Sequence, residues 1–529
     1  MDEAVDQVRA EYDEVPYESH AFPQTAPGHL AAIAHLFGLD APDVRTARVL
    51  EIGCSTGGNL IPFAAWHPDA TVVGIDLSDV QIDLGRGLVE ELGLANLQLV
   101  QGDIAEADLS GLGTFDFIIC HGVYSWVPVN VQEAILAAFR SLLAPEGVAF
   151  VSYNVYPGWK GKEIVRDAML LRSGGRQNAG EKLSYARGMI DFIAEVAPPD
   201  TVLARAVADF RADATNARDD YVLHEFLETF NSPCYFLEFG ERAEPHGLGY
   251  LGDAAPHLMF AGNYGDNIAE PLLKECGHSQ ILVEQYLDFF VNRAFRQTLL
   301  VHGERGAQVR YDVDRGRFGR LHFAAWLPPV SGDTRLDDSQ QEYGAQGRAL
   351  FTQDPGVKAA VDALNARWPW TMSRQELLDA ASSRLGAAGV AAAEDQAAKI
   401  DELLEVLIMR GLGRYRLDPV LPGPAQMPLR LDEPVRRLAG AAGVGHISNL
   451  WHEDVPLTLV DKHLFPLLDG TRDGDELKEE LLFIALADLI RFERDGQQLT
   501  EDADIRVAVA EHVDALPQRL EQMRLLRLS

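Results

Sequence analysis

Cysteine is scarce in this chain: Cys54, Cys120, Cys234 and Cys276 are the four present, and no two stand at C-x-x-C spacing. That excludes a cysteine-paired zinc site and a disulfide framework as organising features, and a reducing cytoplasm is the expected setting. Long apolar runs are missing as well. No stretch approaches the roughly 18 apolar residues that a membrane span needs, so membrane insertion is not expected. The N-terminal MDEAVDQVRAEYDEV is acidic and does not read as a secretory signal. Positive charge is short too, with 46 Lys and Arg against 80 Asp and Glu, a net charge of −34. Without a concentrated basic patch such a surface repels nucleic-acid phosphates, and basic protein segments are the favoured partners. The plainer reading is that the charge keeps a large protein soluble. What is present is ordinary for a globular chain: 529 residues, 47% hydrophobic and 24% charged, which predicts roughly three or four domains.

Residues 1–46 are proline-broken, with one apolar-periodic helix near Leu30–Gly38. From 47 to 157 short branched-apolar runs alternate with helical patterns. The runs Ala47–Gly53, Thr71–Asp76, Leu97–Gln101, Phe115–His121 and Gly147–Tyr153 are predicted strands, and Leu60–Trp66, Val80–Leu92 and Val131–Leu143 predicted helices. Alternation of this kind implies an α/β, Rossmann-like doubly wound parallel sheet. Residues 158–230 read as a helical insertion with 3.6-residue periodicity. Residues 231–330 read as a middle α+β region in which CYFLEF and GRLHFAAWL are candidate strands. The polar run SGDTRLDDSQQEYG (331–344) marks a boundary. Residues 345–420 give three helical patterns, then LIMRGLGRYRLD as helix, turn and β-wing. Residues 430–529 repeat the idea: Thr471 or Asp473 can cap a helix with an apolar face of Leu477, Leu481 and Leu482. The alanine-rich AAGVAAAEDQAAK (387–399) reads as helix.

The chemistry is concentrated after the first strand, in VLEIGCSTGGN (49–59). A P-loop would need lysine after its second glycine, and none is there. A dinucleotide fingerprint would need glycine where Ser55 stands. S-adenosylmethionine remains: it carries no phosphate, and its cationic end tolerates the carboxylate of Glu51. Gly53, Gly57 and Gly58 let backbone pass close to a ligand. Asp76 and Leu77, in GIDLS, end the second strand, where an acid can accept ribose hydroxyls. Asp103 and Ile104, in QGDI, follow the third, where an acid can accept from the adenine amino group; His121 ends the fourth. In open α/β sheets ligands sit at these carboxyl ends. The candidate cofactor residues are therefore Glu51, Gly53, Cys54, Gly57, Asn59, Asp76, Leu77, Asp103, Ile104 and His121.

VLEIGCSTGGN, GIDLS, QGDI and FDFIICHGV together resemble the successive motifs of class I S-adenosylmethionine-dependent methyltransferases. Further segments, YDEVPYESHAFPQT (12–25), DDYVLHEFLETFNSPCYFLEF (219–239), GLGYLGDA (247–254), NRAFRQTLLVH (292–302) and LLDGTRDGDEL (467–477), extend the likeness. They are similar to bacterial methyltransferases with a methyltransferase regulatory domain and a C-terminal winged-helix-like domain, a group that includes the protein-lysine methyltransferases modifying rickettsial outer-membrane protein. The resemblance implies a segment over the cofactor at 1–46, a methyltransferase core at 47–157, a dimerising helical region at 158–230, a regulatory region at 231–330, winged-helix-like regions at 345–420 and 430–529, and a homodimer. Members carry Thr-His-Pro after the N-terminal tyrosine motif; here Thr25-Ala26-Pro27 stands there, and that histidine is lost or moved to His29.

Tyr124 and Trp126 follow the fourth strand, where this fold places its acceptor channel, and Tyr153, Tyr156 and Trp159 can form the opposite wall. Aromatic walls suit a lysine stem and its ammonium. A lysine acceptor must lose a proton before transfer, and His121, Tyr124 or Tyr153 can relay it. HEFLE (224–228) lacks the second histidine of a zinc-protease helix, so no metal is expected, and no G-x-S-x-G elbow supports hydrolysis. Asn154-Val155-Tyr156-Pro157 has the wrong order for an N-P-P-Y loop and reads as pocket wall. The leading expectation is a methyltransferase acting on protein lysines. The alternatives are a small-molecule methyltransferase and a non-catalytic S-adenosylmethionine-binding regulator.

Overall fold

A computed structural model describes residues 5, 9–10, 12–13, 19–107, 109–176, 178–214, 219–345, 347–494 and 497–526. Part of the tyrosine motif, at 14–18, lies outside them.

The central sheet has seven strands: β1 (Arg48–Ile52), β2 (Thr71–Asp76), β3 (Leu97–Gln101), β4 (Phe115–Cys120), β5 (Leu143–Asn154), β6 (Leu248–Asp253) and β7 (Phe295–His302). Their order is β3-β2-β1-β4-β5-β7-β6. The first five pair in parallel, with Glu51 level with Gly74 and Ile119, and Asp76 level with Gln101. The sheet does not end at residue 157, however. β7 pairs antiparallel to β5, and β6 antiparallel to β7. The fully parallel sheet expected from the sequence is thus a mixed one, because two strands from the region 248–302, well beyond the core, complete it.

Alternation along the strands feeds two apolar layers. Val49, Phe117, Ile119, Val148 and Phe150 pack on one side, with the helix Pro27–Leu36. Leu50, Ile118, Cys120, Val151 and Tyr153 pack on the other, with the helix Val129–Leu142. The helices Trp159–Ser173, Ala179–Val196, Val202–Ala214 and Asp219–Phe226 form their own apolar cluster beside the sheet.

CYFLEF is not a strand. Phe236–Ala243 is a helix whose first turn is closed by Glu238, which accepts from the Tyr235 N–H at 2.9 Å. Phe236, Phe239 and Ala243 stand at i, i+3 and i+7 and are buried together, so helical periodicity wins over a six-residue apolar run. Nor is AAGVAAAEDQAAK continuous helix. One helix stops at Ala387, Gly389 takes φ +71° while Val390 N–H returns to Leu385 O, and the next helix starts at Gln396.

The helices Pro355–Arg367, Arg374–Ala387 and Gln396–Met409 accompany a three-stranded antiparallel sheet of His322–Ala324, Met372–Ser373 and Arg414–Arg416. Beyond it, the hairpin His446–Ser448/Asp454–Pro456 precedes the helix Gly474–Leu486. Asp473, rather than Thr471, caps that helix, accepting from Asp475 and Glu476 N–H at 2.9 Å each. Leu477 and Leu481 are buried and Leu482 half-buried. The helix Glu433–Gly440 packs on Leu60–Trp66 and Asp79–Leu92, so this C-terminal region sits directly on the methyltransferase sheet's own helices. Among the described residues no helix is long and apolar enough to cross a membrane. All four cysteines are free and buried.

Candidate functional site

A cavity of about 520 Å³ opens at the carboxyl ends of β1 to β4. It is lined by Glu51, Gly53, Cys54, Asp76, Leu77, Asp103, Ile104 and His121, so residues up to 70 positions apart in sequence meet in one hollow. The loop after β1 turns sharply: Gly53 has φ +77°, and a Cβ there would overlap the Val123 side chain. A Cβ on Gly58 would overlap the Ser19 carbonyl, so glycine lets the N-terminal segment lie against the loop. That segment contributes Ser19, Phe22 and Gln24 to the lining.

Glu51 is buried. Its Oε1 accepts from Asn59 Nδ2 at 2.8 Å, while its Oε2 has no hydrogen-bond partner. Burial pushes its carboxyl up to about 8, against the Asn59 hydrogen bond and helped by the charge of Asp76. A buried carboxylate oxygen left open toward a cavity suits a cationic group, and S-adenosylmethionine carries an ammonium and a sulfonium. Asp76 accepts from Ser55 N–H at 2.7 Å and Ser78 N–H at 2.9 Å, which fixes its position; burial raises its pKa. Asp103 accepts from Ala105 N–H at 2.8 Å. His121 Nδ1 lies 2.9 Å from Ser152 Oγ, its ring is edge-on to Phe22 at 4.2 Å, and burial pulls its pKa down to about 4, so the imidazole is neutral near pH 7. Burial pushes the Cys54 thiol well up, which makes it an inert wall.

Several expected residues stand elsewhere. Gly57 (φ +82°) shapes the turn against Leu99, and Asn59 stands behind Glu51 as its brace; neither lines the cavity. Tyr124 and Tyr153 are buried in the apolar layer and do not reach the hollow. Tyr153 stacks on Phe239 at 4.2 Å and its hydroxyl meets Thr298 Oγ1 at 2.9 Å; Tyr124 packs edge-on to both rings, and burial pushes both phenols up. They are core residues, and the expected proton relay through them is not formed. Tyr156 is outside the lining too: its hydroxyl donates to Glu163 Oε1 at 2.5 Å, and Lys160 lies over its ring at 3.9 Å. His29 faces Ala254 O on the sheet side, at 2.7 Å.

Trp126 and Trp159 do line the cavity, packed edge-to-face at 6.1 Å. With them stand three residues that sequence reasoning did not place there: Lys162, His224 and Glu225. Lys162 Nζ lies 4.8 Å over the Trp159 ring and 3.4 Å from Glu225 Oε1. His224 Nδ1 is 2.6 Å from Glu228 Oε1, which joins the last turn of the helix ending at Phe226 to the segment just beyond it. Among the described residues no group of three His, Cys, Asp or Glu side chains has the arrangement of a metal site. The 3.6-residue spacing of Lys162, Trp159 and Arg166 was a signal that this face points one way, but nothing local said toward what.

Three family models match. Residues 49–147 match "Methyltransferase domain", 218–302 "Predicted methyltransferase regulatory domain" and 432–525 "PKMT, C-terminal winged helix domain". An uncharacterized protein of Rickettsia prowazekii is 31% identical over 505 residues, covering 94% of this chain and 90% of its own. A second uncharacterized protein of the same organism is 38% identical over 234 residues, 44% of this chain and 93% of its own. Among solved structures, PKMT2 from Rickettsia typhi in complex with AdoHcy superposes with a TM-score of 0.84 at 28% identity, covering 97% of this chain and all of that one. The open carboxylate at Glu51, the acids at the ends of β2 and β3 and these likenesses agree: the chain belongs to the class I S-adenosylmethionine-dependent methyltransferases that carry a methyltransferase regulatory domain and a PKMT-type C-terminal winged-helix domain.

Proposed function

We propose that this methyltransferase acts on lysine side chains of protein substrates. The observation that carries the reading is the wall formed by Trp159 and Glu225: it already holds an ammonium, that of Lys162, between an indole face and a carboxylate inside the cavity that Glu51 and Asp76 line. A substrate lysine has the same chemistry, an apolar stem and a cation. The likeness to PKMT2 supports the same reading.

Glu51, Gly53, Cys54, Asp76, Leu77, Asp103, Ile104 and His121 would hold the cofactor, with Gly57 and Asn59 shaping and bracing the loop. S-adenosylmethionine, when bound, supplies an electrophilic methyl group on a sulfonium. The chain's own task is to align an amine, strip its water and take its proton. Trp126 and Trp159 exclude water. Glu225, whose pKa is raised by burial against the pull of Lys162, is the carboxylate placed to accept that proton. Tyr124, Tyr153 and Tyr156 have no part in this account.

Incubation with S-adenosylmethionine bearing a labelled methyl group and a lysate should place label in precipitated protein, recovered as methyl-lysine after hydrolysis. Glu225→Gln, which removes the proton acceptor, should lower kcat for a lysine-bearing substrate by about 100-fold, the lower end of what a positioned general base contributes, with a smaller effect on KM. Label confined to small molecules would overturn the proposal in favour of a small-molecule acceptor; cofactor binding without any transfer, across protein and small-molecule fractions, would favour a regulator.

The same reading includes a homodimer and a cytoplasmic setting. Leu171, Phe192 and Val196 are exposed on the helices Trp159–Ser173 and Ala179–Val196, which supports dimerisation through 158–230. Sedimentation equilibrium should give twice the chain mass, and Phe192→Glu should return the monomer; a monomeric parent would remove the dimer from the proposal. The four unpaired thiols suit a reducing compartment.

A further inference from the structure

The C-terminal region reaches the cofactor loop. His452 sits at the tip of the hairpin His446–Ser448/Asp454–Pro456, buried, and its Nε2 lies 2.8 Å from Asn59 Oδ1. Asn59 is the residue that braces Glu51, through Nδ2 to Oε1 at 2.8 Å. The two ends of this chain of contacts are therefore a winged-helix hairpin and the carboxylate whose other oxygen faces the cavity without a partner.

The geometry assigns a direction to each bond. Phe22 N–H donates to Asn59 Oδ1 at 3.1 Å, so that atom is the amide oxygen and Nδ2 is free to donate to Glu51. His452 must then carry its proton on Nε2 and donate it. Burial, helped by the charge of Arg416, pulls its pKa down to about 3, so it does this as a neutral imidazole. A second Asn59 donation, Nδ2 to Thr25 Oγ1 at 3.0 Å, completes a closed network in which the orientation of one amide is held by three segments of chain.

His452 is held in place at a cost. Its φ is +58°, the left-handed region that a residue with a Cβ disfavours. The turn is built around it: Trp451 and Glu453 N–H both donate to Asn449 Oδ1, at 2.9 and 3.1 Å, and His452 N–H donates to Asn449 O at 2.9 Å. Glu453 pairs with Arg414 at 2.6 Å and with Arg524, and Trp451 Nε1 donates to Pro369 O at 3.2 Å. The tip is thereby clamped from both flanking regions and aimed at the loop after β1.

We propose that His452 is a positioning residue of the cofactor site: it fixes Asn59, which fixes Glu51, so that seating of the C-terminal winged-helix domain and cofactor affinity are coupled. This rests on the cofactor reading of the cavity. By reciprocity, a protein substrate whose binding shifts the C-terminal domain changes cofactor affinity by the same factor by which bound cofactor changes that substrate's affinity.

The test is calorimetric titration of the full chain with S-adenosylhomocysteine. His452→Ala and His452→Gly should each raise Kd by about tenfold, one hydrogen bond in a buried network. His452→Gln, whose amide can donate to Asn59, should bring Kd back to within about threefold of the parent. The glycine variant also relieves the left-handed backbone, so its melting temperature should be no lower than that of the alanine variant while its affinity falls alike; that separates positioning from stability. In the background of Asn59→Ala, removing His452 should have no further effect. Unchanged Kd in the alanine and glycine variants, or losses that add to those of Asn59→Ala, would overturn the proposal. A parent chain that fails to bind S-adenosylhomocysteine would instead overturn the cofactor reading beneath it.

Discussion

Glu51→Gln is expected to weaken S-adenosylmethionine binding by roughly 100-fold while making the cofactor-free protein harder to unfold. The two effects have one cause. The Glu51 carboxylate is buried, only one of its oxygens is hydrogen-bonded, and burial pushes its pKa up to about 8. Without a cation nearby the charge is a burden on the fold; with one it is a charge-assisted contact of about 1.5–3 kcal/mol, which is roughly 10- to 100-fold in affinity. Glutamine keeps the shape and the Asn59 contact but carries no charge. The sign with pH follows. A carboxyl whose folded pKa is above its unfolded value near 4.5 favours the fold while protonated, and that contribution is lost as pH rises from about 4.5 through about 8. Urea midpoints of the cofactor-free parent should therefore fall over that window by an amount that glutamine removes, at up to roughly 1.4 kcal/mol per unit. Saturating S-adenosylhomocysteine should also flatten the curve, because its ammonium pairs with the ionised form. Equal affinity in parent and variant, measured by calorimetry, would place the cationic end of the ligand elsewhere.

The cofactor half of the candidate site was legible because it is local. Glu51, Asp76, Asp103 and His121 each stand at or just beyond the end of a short apolar run, and a parallel sheet aligns such ends by construction. Parity, not identity, defeated the reading of Tyr153. Side chains alternate across a strand, and its neighbours Ser152 and Asn154 are the ones that reach His121 and the cavity, so Tyr153 turns into the core. The acceptor wall was not legible, because Lys162 and Glu225 come from helices that fold back over the sheet and meet only in three dimensions. His452 lies 393 positions from Asn59, and no periodicity relates them. The sheet's last two strands were missed for the same reason: GLGYLGD and FRQTLLVH are strand-like, but that they belong to the same sheet as β5 is a long-range fact.

Arg296 is what fastens those strands, and Arg296→Met should destabilise the protein by about 3–5 kcal/mol, the usual result of removing one partner from a buried ion cluster. Arg296 is on β7 and fully buried. Its Nε and Nη2 each donate to Asp288 at 2.8 Å, and its Nη1 donates to Glu284 Oε2 at 2.9 Å, both on the helix Gln280–Val291. Asp253 of β6 stands 3.7 Å away and is held chiefly by Arg293 at 2.6 Å. Tyr250 donates to Glu284 at 2.9 Å, and Phe236 covers the guanidinium at 3.6 Å. Burial raises the pKa of Glu284 and of Asp288, and the charge of Arg296 opposes this. Methionine preserves the apolar stem and its packing but leaves Glu284 buried without its cation and Asp288 with only Arg293, 3.9 Å away. They must then hold protons that the unfolded chain releases, so the variant's deficit should shrink as pH falls toward 5, where protonation no longer costs anything, and grow toward pH 8. Combining Arg296→Met with Glu284→Gln and Asp288→Asn should recover much of the loss, since a neutral buried cluster carries no desolvated charge. Urea unfolding followed by tryptophan fluorescence measures all of this, and an Arg296→Met midpoint equal to the parent's, independent of pH, would mean that apolar packing alone holds β6, β7 and their helix to the methyltransferase sheet.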